Sequence, residues 1–305
     1  MTPRSRFLFL FVDGVGIGEN DEERNPFLRA RIPTLRAMLG GSLPTARRQS
    51  VSGPVAFAFP LDATLRVPGV PQSGTGQAAL LTGVNAARLH GGHFGPWIPV
   101  GLRPLVEERS LLRLSRSAGR ATVFANAYPR QWPGPRGSRR VAGPPLAARG
   151  AGLLDRHEEA LGQGRAVSSE IVNDGWRRHL GHDWLPSITE EEAGRNLAGI
   201  ASSADLTLFA HYDTDTAGHR EDLAGAAAAL ERVDRFLSGI LEALPEDITV
   251  VLASDHGNLE DVTAGHTRNP ALGLALGPHA GELAETADSI IDITPFIAHR
   301  LGTDV

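Results

Sequence analysis

The sequence predicts an α/β fold, a doubly wound, mostly parallel sheet core with a smaller inserted cap. Three observations carry this. Short continuous apolar runs recur at 7–12, 121–125, 206–210, 249–253 and 271–276, as strands covered on both faces require. Helical patterns lie between them, at 76–81, 111–118, 190–201 and 222–244. Asp and His residues gather just past three of the runs, where open α/β sheets bind their ligands.

The elements follow in chain order. Residues 7–12 come after Arg4-Ser5-Arg6 and superficially resemble a signal peptide. The run is short and ends in Asp13-Gly14 without a small-residue cleavage site, so it reads as a buried first strand in a cytoplasmic protein. A helix follows Gln72-Ser73-Gly74-Thr75-Gly76 and reaches Thr82-Gly83. Residues 128–152 hold five prolines among many Gly and Arg residues, which predicts a loop or extended segment. Residues 96–198 are therefore assigned to the cap, and 1–95 with 199–305 to the core. The alternative for residues 111–127 is a helix and strand of the core. In 222–244, Leu223, Ala226, Ala227, Leu230, Val233, Leu237 and Leu241 form a helical stripe, and Pro245 lies just past its end.

Composition excludes several chemistries. There is no cysteine, hence no disulfide, zinc knuckle or thiol catalysis. There is no lysine either, so Schiff-base chemistry and the P-loop lysine are absent. A net charge of −5 argues against a nucleic-acid partner. No apolar segment approaches the length of a membrane span. Oligomeric state is left open.

The candidate ligands are three Asp and three His: Asp13, Asp215, His219, Asp255, His256 and His266. Alone, Asp13-Gly14 is an ordinary turn, and His266 an ordinary loop residue. Together they form a mixed oxygen/nitrogen set that suits zinc or manganese, with enough ligands for two divalent ions. Paired ions are a known solution for displacement at phosphorus. Asp215 and His219 are four apart, a spacing that one helical turn brings onto one ion. Ser73 and Thr75 both supply a hydroxyl at a helix start, where free N–H groups favour a phosphoryl oxygen. On chemistry alone either is a candidate nucleophile.

These motifs together resemble the alkaline phosphatase superfamily of metalloenzymes, and within it the phosphopentomutases and cofactor-independent phosphoglycerate mutases. The resemblance covers about 7–92 and 204–278. It rests on strand–Asp13-Gly14, Ser73 to Gly83, Asp215 to His219, and Asp255-His256-Gly257-Asn258 followed by His266-Thr267. It implies one ion on Asp13, Asp255, His256 and the nucleophile oxygen, and a second on Asp215, His219 and His266. It favours Ser73 over Thr75, because the family nucleophile precedes a helix Gly by about ten residues. Gln77 stands where the family carries a His, and the chain is shorter than those mutases, chiefly in the cap. The implied activity is phosphoryl transfer on a phosphorylated small molecule through a phosphoserine, phosphomutase-like. The alternative is a metal-dependent phosphatase, or a sulfate or phosphonate ester hydrolase, on the same fold. Gln77 and cap arginines such as Arg130, Arg136, Arg139 and Arg140 are the candidates for substrate contact, although a solvated loop accounts for the arginines equally.

Overall fold

The computed structural model describes residues 5–133, 140–220 and 222–303. Seven strands form one sheet: β1 (Arg6–Val12), β2 (Val51–Ser52), β3 (Ala56–Leu61), β4 (Thr122–Phe124), β5 (Leu206–His211), β6 (Ile248–Ala253) and β7 (Ala271–Leu276), in the order β2-β3-β7-β6-β1-β5-β4. β1 pairs in parallel with both β5 and β6, and β4 in parallel with β5. β7 runs antiparallel between β6 and β3, and β2 closes the edge antiparallel to β3. Most strands therefore point the same way, as expected.

β1 shows how the sequence builds two cores. Successive side chains point to opposite faces. Phe7, Phe9 and Phe11 enter one cluster, and Leu8, Leu10 and Val12 the other. On the first face the strands meet helices Ser73–Thr82, Arg103–Arg109, Leu111–Ser117, Gly143–Ala151 and Ile293–Leu301. On the second they meet Glu190–Ala201 and Leu223–Ala243.

The structure divides the chain differently from the sequence reading. β4 is hydrogen-bonded into the sheet, so 121–125 belongs to the core. Leu102, Val106, Leu111, Leu112, Leu146 and Leu153 are buried in the first cluster. The 128–152 stretch is not wholly irregular, because Gly143–Ala151 is a helix with Pro144 and Pro145 in its first turn. There a proline's missing N–H removes no helical hydrogen bond. Glu190–Ala201 packs with Leu223–Ala243 in the second cluster. What stands apart from the two cores is a small cluster of Ala127, Leu161, Ala166, Trp176 and Leu185. The sequence reading also lacked β3, whose Pro60 signals against a strand. β2 pairs only with Phe57 and Ala58, so Pro60 lies beyond it and faces no ladder on that side.

Among the described residues, no helix is long and apolar enough to cross a membrane.

Candidate metal centre

Strand register brings the ligands together. Val12 is opposite His211 of β5, and Phe11 is opposite Ala253 of β6. Asp13 therefore leaves the sheet between the loop that carries Asp215 and the loop that carries Asp255. The Asp13 N–H donates to the His211 carbonyl at 2.9 Å, and the Thr214 hydroxyl donates to the Asp13 carbonyl. The short helix Asp213–Gly218 presents Asp215, and His219 follows as its C-cap.

Two glycines make the approach possible. Gly14 has φ +67°, and a Cβ there would lie 2.5 Å from Asp215 Oδ1. A Cβ on Gly16 would lie 2.5 Å from the Glu260 carboxylate carbon. The glycine run after β1 thus serves close packing of side chains.

All six predicted ligands converge. Asp13, Asp255 and His256 each offer one atom within 4.8 Å of the others, and so do Asp215, His256 and His266. His256 Nε2 lies 3.4 Å from Asp13 Oδ1 and 3.7 Å from Asp255 Oδ2. His266 Nε2 lies 3.4 Å from Asp215 Oδ1, and His219 Nε2 lies 3.4 Å from Asp215 Oδ2. The Nε2 atoms of His219 and His266 are 3.0 Å apart. His266 Nδ1 faces the Pro71 carbonyl at 3.0 Å, which fixes the ring and leaves Nε2 for the cluster.

The set fits divalent cations on its own chemistry. Asp13 Oδ1 and Asp255 Oδ2 are buried acceptors without a hydrogen-bond partner, an arrangement that is costly unless a cation satisfies it. Burial pushes both carboxyls well above the usual carboxylate range; Asp215 adds to the rise at Asp13, and Asp13 to that at Asp255. Asp215 goes the other way. Burial opposes its ionisation, but His266, His256, Asn258 and His219 outweigh it and hold it at about 2.

Ser73 is the first residue of its helix and is buried, with Oγ 2.9 Å from His256 Nε2. Thr75 is also buried, but its hydroxyl accepts from the Phe94 N–H at 3.1 Å and reaches the Gln72 carbonyl. Gln77 is occupied within the protein. Its Nε2 donates to Asp13 Oδ2 at 3.0 Å, and its Oε1 accepts from the Gly143 N–H at 2.8 Å. This amide ties a ligand carboxylate to the start of the 143–151 helix.

The predicted arginines are placed differently from one another. Arg130 is exposed and paired with Glu158 and Glu159, so it is not aimed at the centre. Arg136 and Arg139 lie outside the described residues. Arg140, next to the latter, lines a cavity of about 420 Å³ with Asp13, Ser73, Gln77 and Asp215. A second opening that also reaches Ser73 is lined by Gln72, Asp215, His219 and His266.

Glu260 and Asn258 were missed in the sequence. Glu260 is buried and accepts from the Gly16 and Asn258 N–H groups at 2.9 and 2.8 Å, from the Thr267 hydroxyl and from Asn269 Nδ2. It locks the loop after β1 to the loop after β6. Asn258 Nδ2 donates to Asp215 Oδ1 at 2.6 Å. The only signal for Glu260 was proximity to Asp255-His256, whereas Asn258 stood in the Asp255-His256-Gly257-Asn258 motif without an assigned role.

Residues 186–305 match the family model described as the Metalloenzyme superfamily. That match holds Asp215, His219, Asp255, His256 and His266. A phosphopentomutase of Deinococcus radiodurans is 37% identical over 135 residues, covering 41% of this chain and 34% of that protein. A 2,3-bisphosphoglycerate-independent phosphoglycerate mutase of Cereibacter sphaeroides is 32% identical over 128 residues, covering 37% of this chain and 25% of that protein. The matched stretch thus spans a third or less of these relatives. Among solved structures, a Pyrococcus horikoshii protein superposes with TM-score 0.58 at 12% identity, over 98% of both chains. The alkaline phosphatase of the Antarctic bacterium TAB5 gives TM-score 0.50 at 11% identity, over 99% of both. These two likenesses establish an alkaline-phosphatase-like fold.

Proposed function

We propose that this protein is a two-metal phosphoryl-transfer enzyme that acts on a phosphorylated small molecule through a phosphoserine at Ser73, in the manner of a phosphomutase. The observation that carries the reading is the Ser73 hydroxyl at a helix start, 2.9 Å from His256 Nε2 and beside the partnerless oxygens of Asp13 and Asp255. The named similarity of the matched stretch to two mutases supports it.

Asp13, Asp255, His256 and Ser73 Oγ would hold one manganese or zinc ion, and Asp215, His219 and His266 the other. Bound there, the ions would offset phosphate charge and lower the pKa of the serine hydroxyl. The rest of the chemistry falls to the chain. The helix 73–82 aims its positive N-terminal end at the phosphoryl oxygens. Ser73 Oγ gives up its proton and forms the new bond to phosphorus, while the ester oxygen leaves with its electron pair and takes up a proton. Asp13 is kept in place by Gln77, and Asp215 by Asn258. In the second half-reaction another oxygen nucleophile takes the phosphoryl group and restores Ser73. A hydroxyl of the retained substrate makes the enzyme a mutase. Water makes it a phosphatase.

The test is a panel on protein loaded with Mn²⁺ or Zn²⁺: ribose 1-phosphate, ribose 5-phosphate, 3-phosphoglycerate, p-nitrophenyl phosphate and p-nitrophenyl sulfate, with Ser73→Ala alongside. Turnover of a phosphate ester, lost in Ser73→Ala, is the expected result, and isomerisation without phosphate release identifies a mutase. Phosphate release lost in the variant identifies a phosphatase. Activity that survives Ser73→Ala removes the nucleophile assignment, and a preference for the sulfate ester removes phosphoryl transfer.

A further inference from the structure

The cavity over Ser73 has an unusual wall for a site that handles a small phosphate ester. Apart from Asp13 and Asp215, its one charged lining residue among those described is Arg140, which is exposed at the mouth. Four of the described lining residues are aromatic, Trp97, Tyr128, Trp132 and Tyr212, and Ser169 and Thr216 also line it. These rings are held by their neighbours. Tyr128 meets Trp132 edge-on at 5.1 Å and stacks on Phe124 at 6.0 Å. Tyr212 meets Phe11 of β1 edge-on at 6.0 Å. The two phenol oxygens face each other at 3.4 Å.

Charge and shape narrow the alcohol part of the ester. A second carboxylate or phosphate would need a buried cation, and among the described residues the lining offers Arg140, which is exposed. Sugar hydroxyls would need several fixed polar partners. Beyond Ser73, the described lining offers Gln77, which is occupied by Asp13 and Gly143, two phenols that face each other, and the hydroxyl residues Ser169 and Thr216. Burial pushes both phenols up, Tyr128 to about 12, so both stay neutral over the physiological range. Flat aromatic walls favour flat ligands, by offset stacking or edge contacts. A volume of about 420 Å³ lies within the range of small-ligand pockets and admits a single ring.

We infer that the substrate is a phosphate monoester whose alcohol part carries an aromatic ring, seated between Trp97, Trp132 and the paired tyrosines, with phosphorus at Ser73. This rests on the phosphoryl-transfer reading of the same site and adds its substrate class.

Calorimetric titration of the full chain loaded with Mn²⁺ tests it without turnover. The probes are orthophosphate, phenylphosphonate, phosphonoacetate and ribose 5-phosphate. Phenylphosphonate is expected to bind about tenfold tighter than orthophosphate or phosphonoacetate, the scale set by one well-placed aromatic contact. Trp132→Ala is expected to bring the ratio of phenylphosphonate to orthophosphate affinity close to one. Trp97→Ala, at a half-exposed rim position, is expected to lower it in part and covers the case in which Trp132→Ala does not fold. Phosphonoacetate or ribose 5-phosphate binding as tightly as phenylphosphonate would overturn the aromatic assignment and leave the phosphoryl site standing. A ratio unmoved in the folded tryptophan variants overturns it too. Orthophosphate that does not bind at all removes the phosphoryl reading, and this inference with it.

Discussion

The two halves of the ligand cluster differ in their access to solvent. The side chains of Asp255 and His256 are fully buried and that of Asp13 is 7% exposed, whereas His219 is 50% exposed and Asp215 18%. The buried half is framed by strand ends and by Gly14 and Gly16, so its geometry is set before any ion arrives. It also contains the oxygens without partners. The open half hangs on a short helix and a loop, and His219 reaches in from solvent. A preformed, dry half suits a resident ion. An open half suits exchange and contact with an incoming phosphate.

The largest expected effect comes from breaking the dry half. Asp255→Asn is predicted to lower activity by at least about a thousandfold, as loss of a central charge-stabilising group does. The same change is predicted to stabilise the metal-free protein, raising its Tm by a few degrees (about 2–4 °C per kcal/mol), because a buried carboxyl without a full set of partners is replaced by a neutral amide. Calorimetry with a chelator, beside an activity assay, reads both. A metal-free Tm that falls in Asp255→Asn would mean the carboxyl is well satisfied without an ion.

The pH dependence follows with a defined sign. Folding raises the pKa of Asp13 and Asp255 in the metal-free protein, so the native state binds more protons than the unfolded one. Its stability is then greatest at acid pH and declines as pH rises from the ordinary carboxylate range through the raised values. Asp215, held at about 2, contributes stability that is lost only as pH falls toward that value. Metal binding needs deprotonated ligands and strengthens with pH. The gap in Tm between loaded and metal-free protein is therefore predicted to widen from pH 5 to pH 8. A gap that narrows over this range would exclude Asp13 and Asp255 from the ion's coordination.

A smaller effect is expected in the open half. His219→Ala removes one exposed ligand and leaves Asp215, His266 and His256 in reach of one another. It is predicted to weaken metal dependence by about ten- to a hundredfold, the scale seen when a supporting group around a metal is lost. Excess Mn²⁺ should restore most of the activity. Titration of activity against metal concentration measures this. Failure of any metal concentration to restore turnover would give His219 a role beyond holding an ion.

The same contrast explains what the sequence could reveal. Asp13, Asp215, Asp255 and His256 were legible because they stand just past apolar runs, and parallel strands place such ends on one edge; His219 and His266 were legible through their spacing from these and the resemblance. Phe7, Phe9 and Phe11 against Leu8, Leu10 and Val12 show why: strand period alone fills both cores. Local punctuation misled. Pro144 and Pro145 read as helix breakers, although a first-turn position suits them. Pro60 hid β3, although the neighbouring strand stops short of it. Glu260 was invisible for another reason. A charged loop residue reads as solvent-facing, and only the fold supplies the two N–H groups, the hydroxyl and the amide that allow its burial. Gln77 was read as a substrate contact, because the sequence cannot show that both ends of its amide are taken.

Arg130 and Arg140 give the sharpest form of the contrast with the smallest expected effect. Both lie near the Pro-rich segment and carry the same charge. Arg130 bonds Glu158 and Glu159 at the surface, while Arg140 lines the cavity above Ser73. Exposed ion pairs contribute little to stability and are screened by salt. Arg130→Ala is therefore predicted to leave Tm and kcat/KM unchanged within error. Arg140→Ala is predicted to raise KM by a few-fold (on the order of 1 kcal/mol for a charged group at a solvated rim), with kcat little affected. Raising ionic strength should weaken wild-type substrate binding and have less effect on Arg140→Ala, because the charge that salt screens is gone. If Arg130→Ala instead raises KM and Arg140→Ala does not, the phosphate approaches over the Glu158–Glu159 side, and the aromatic cavity is not its route to Ser73.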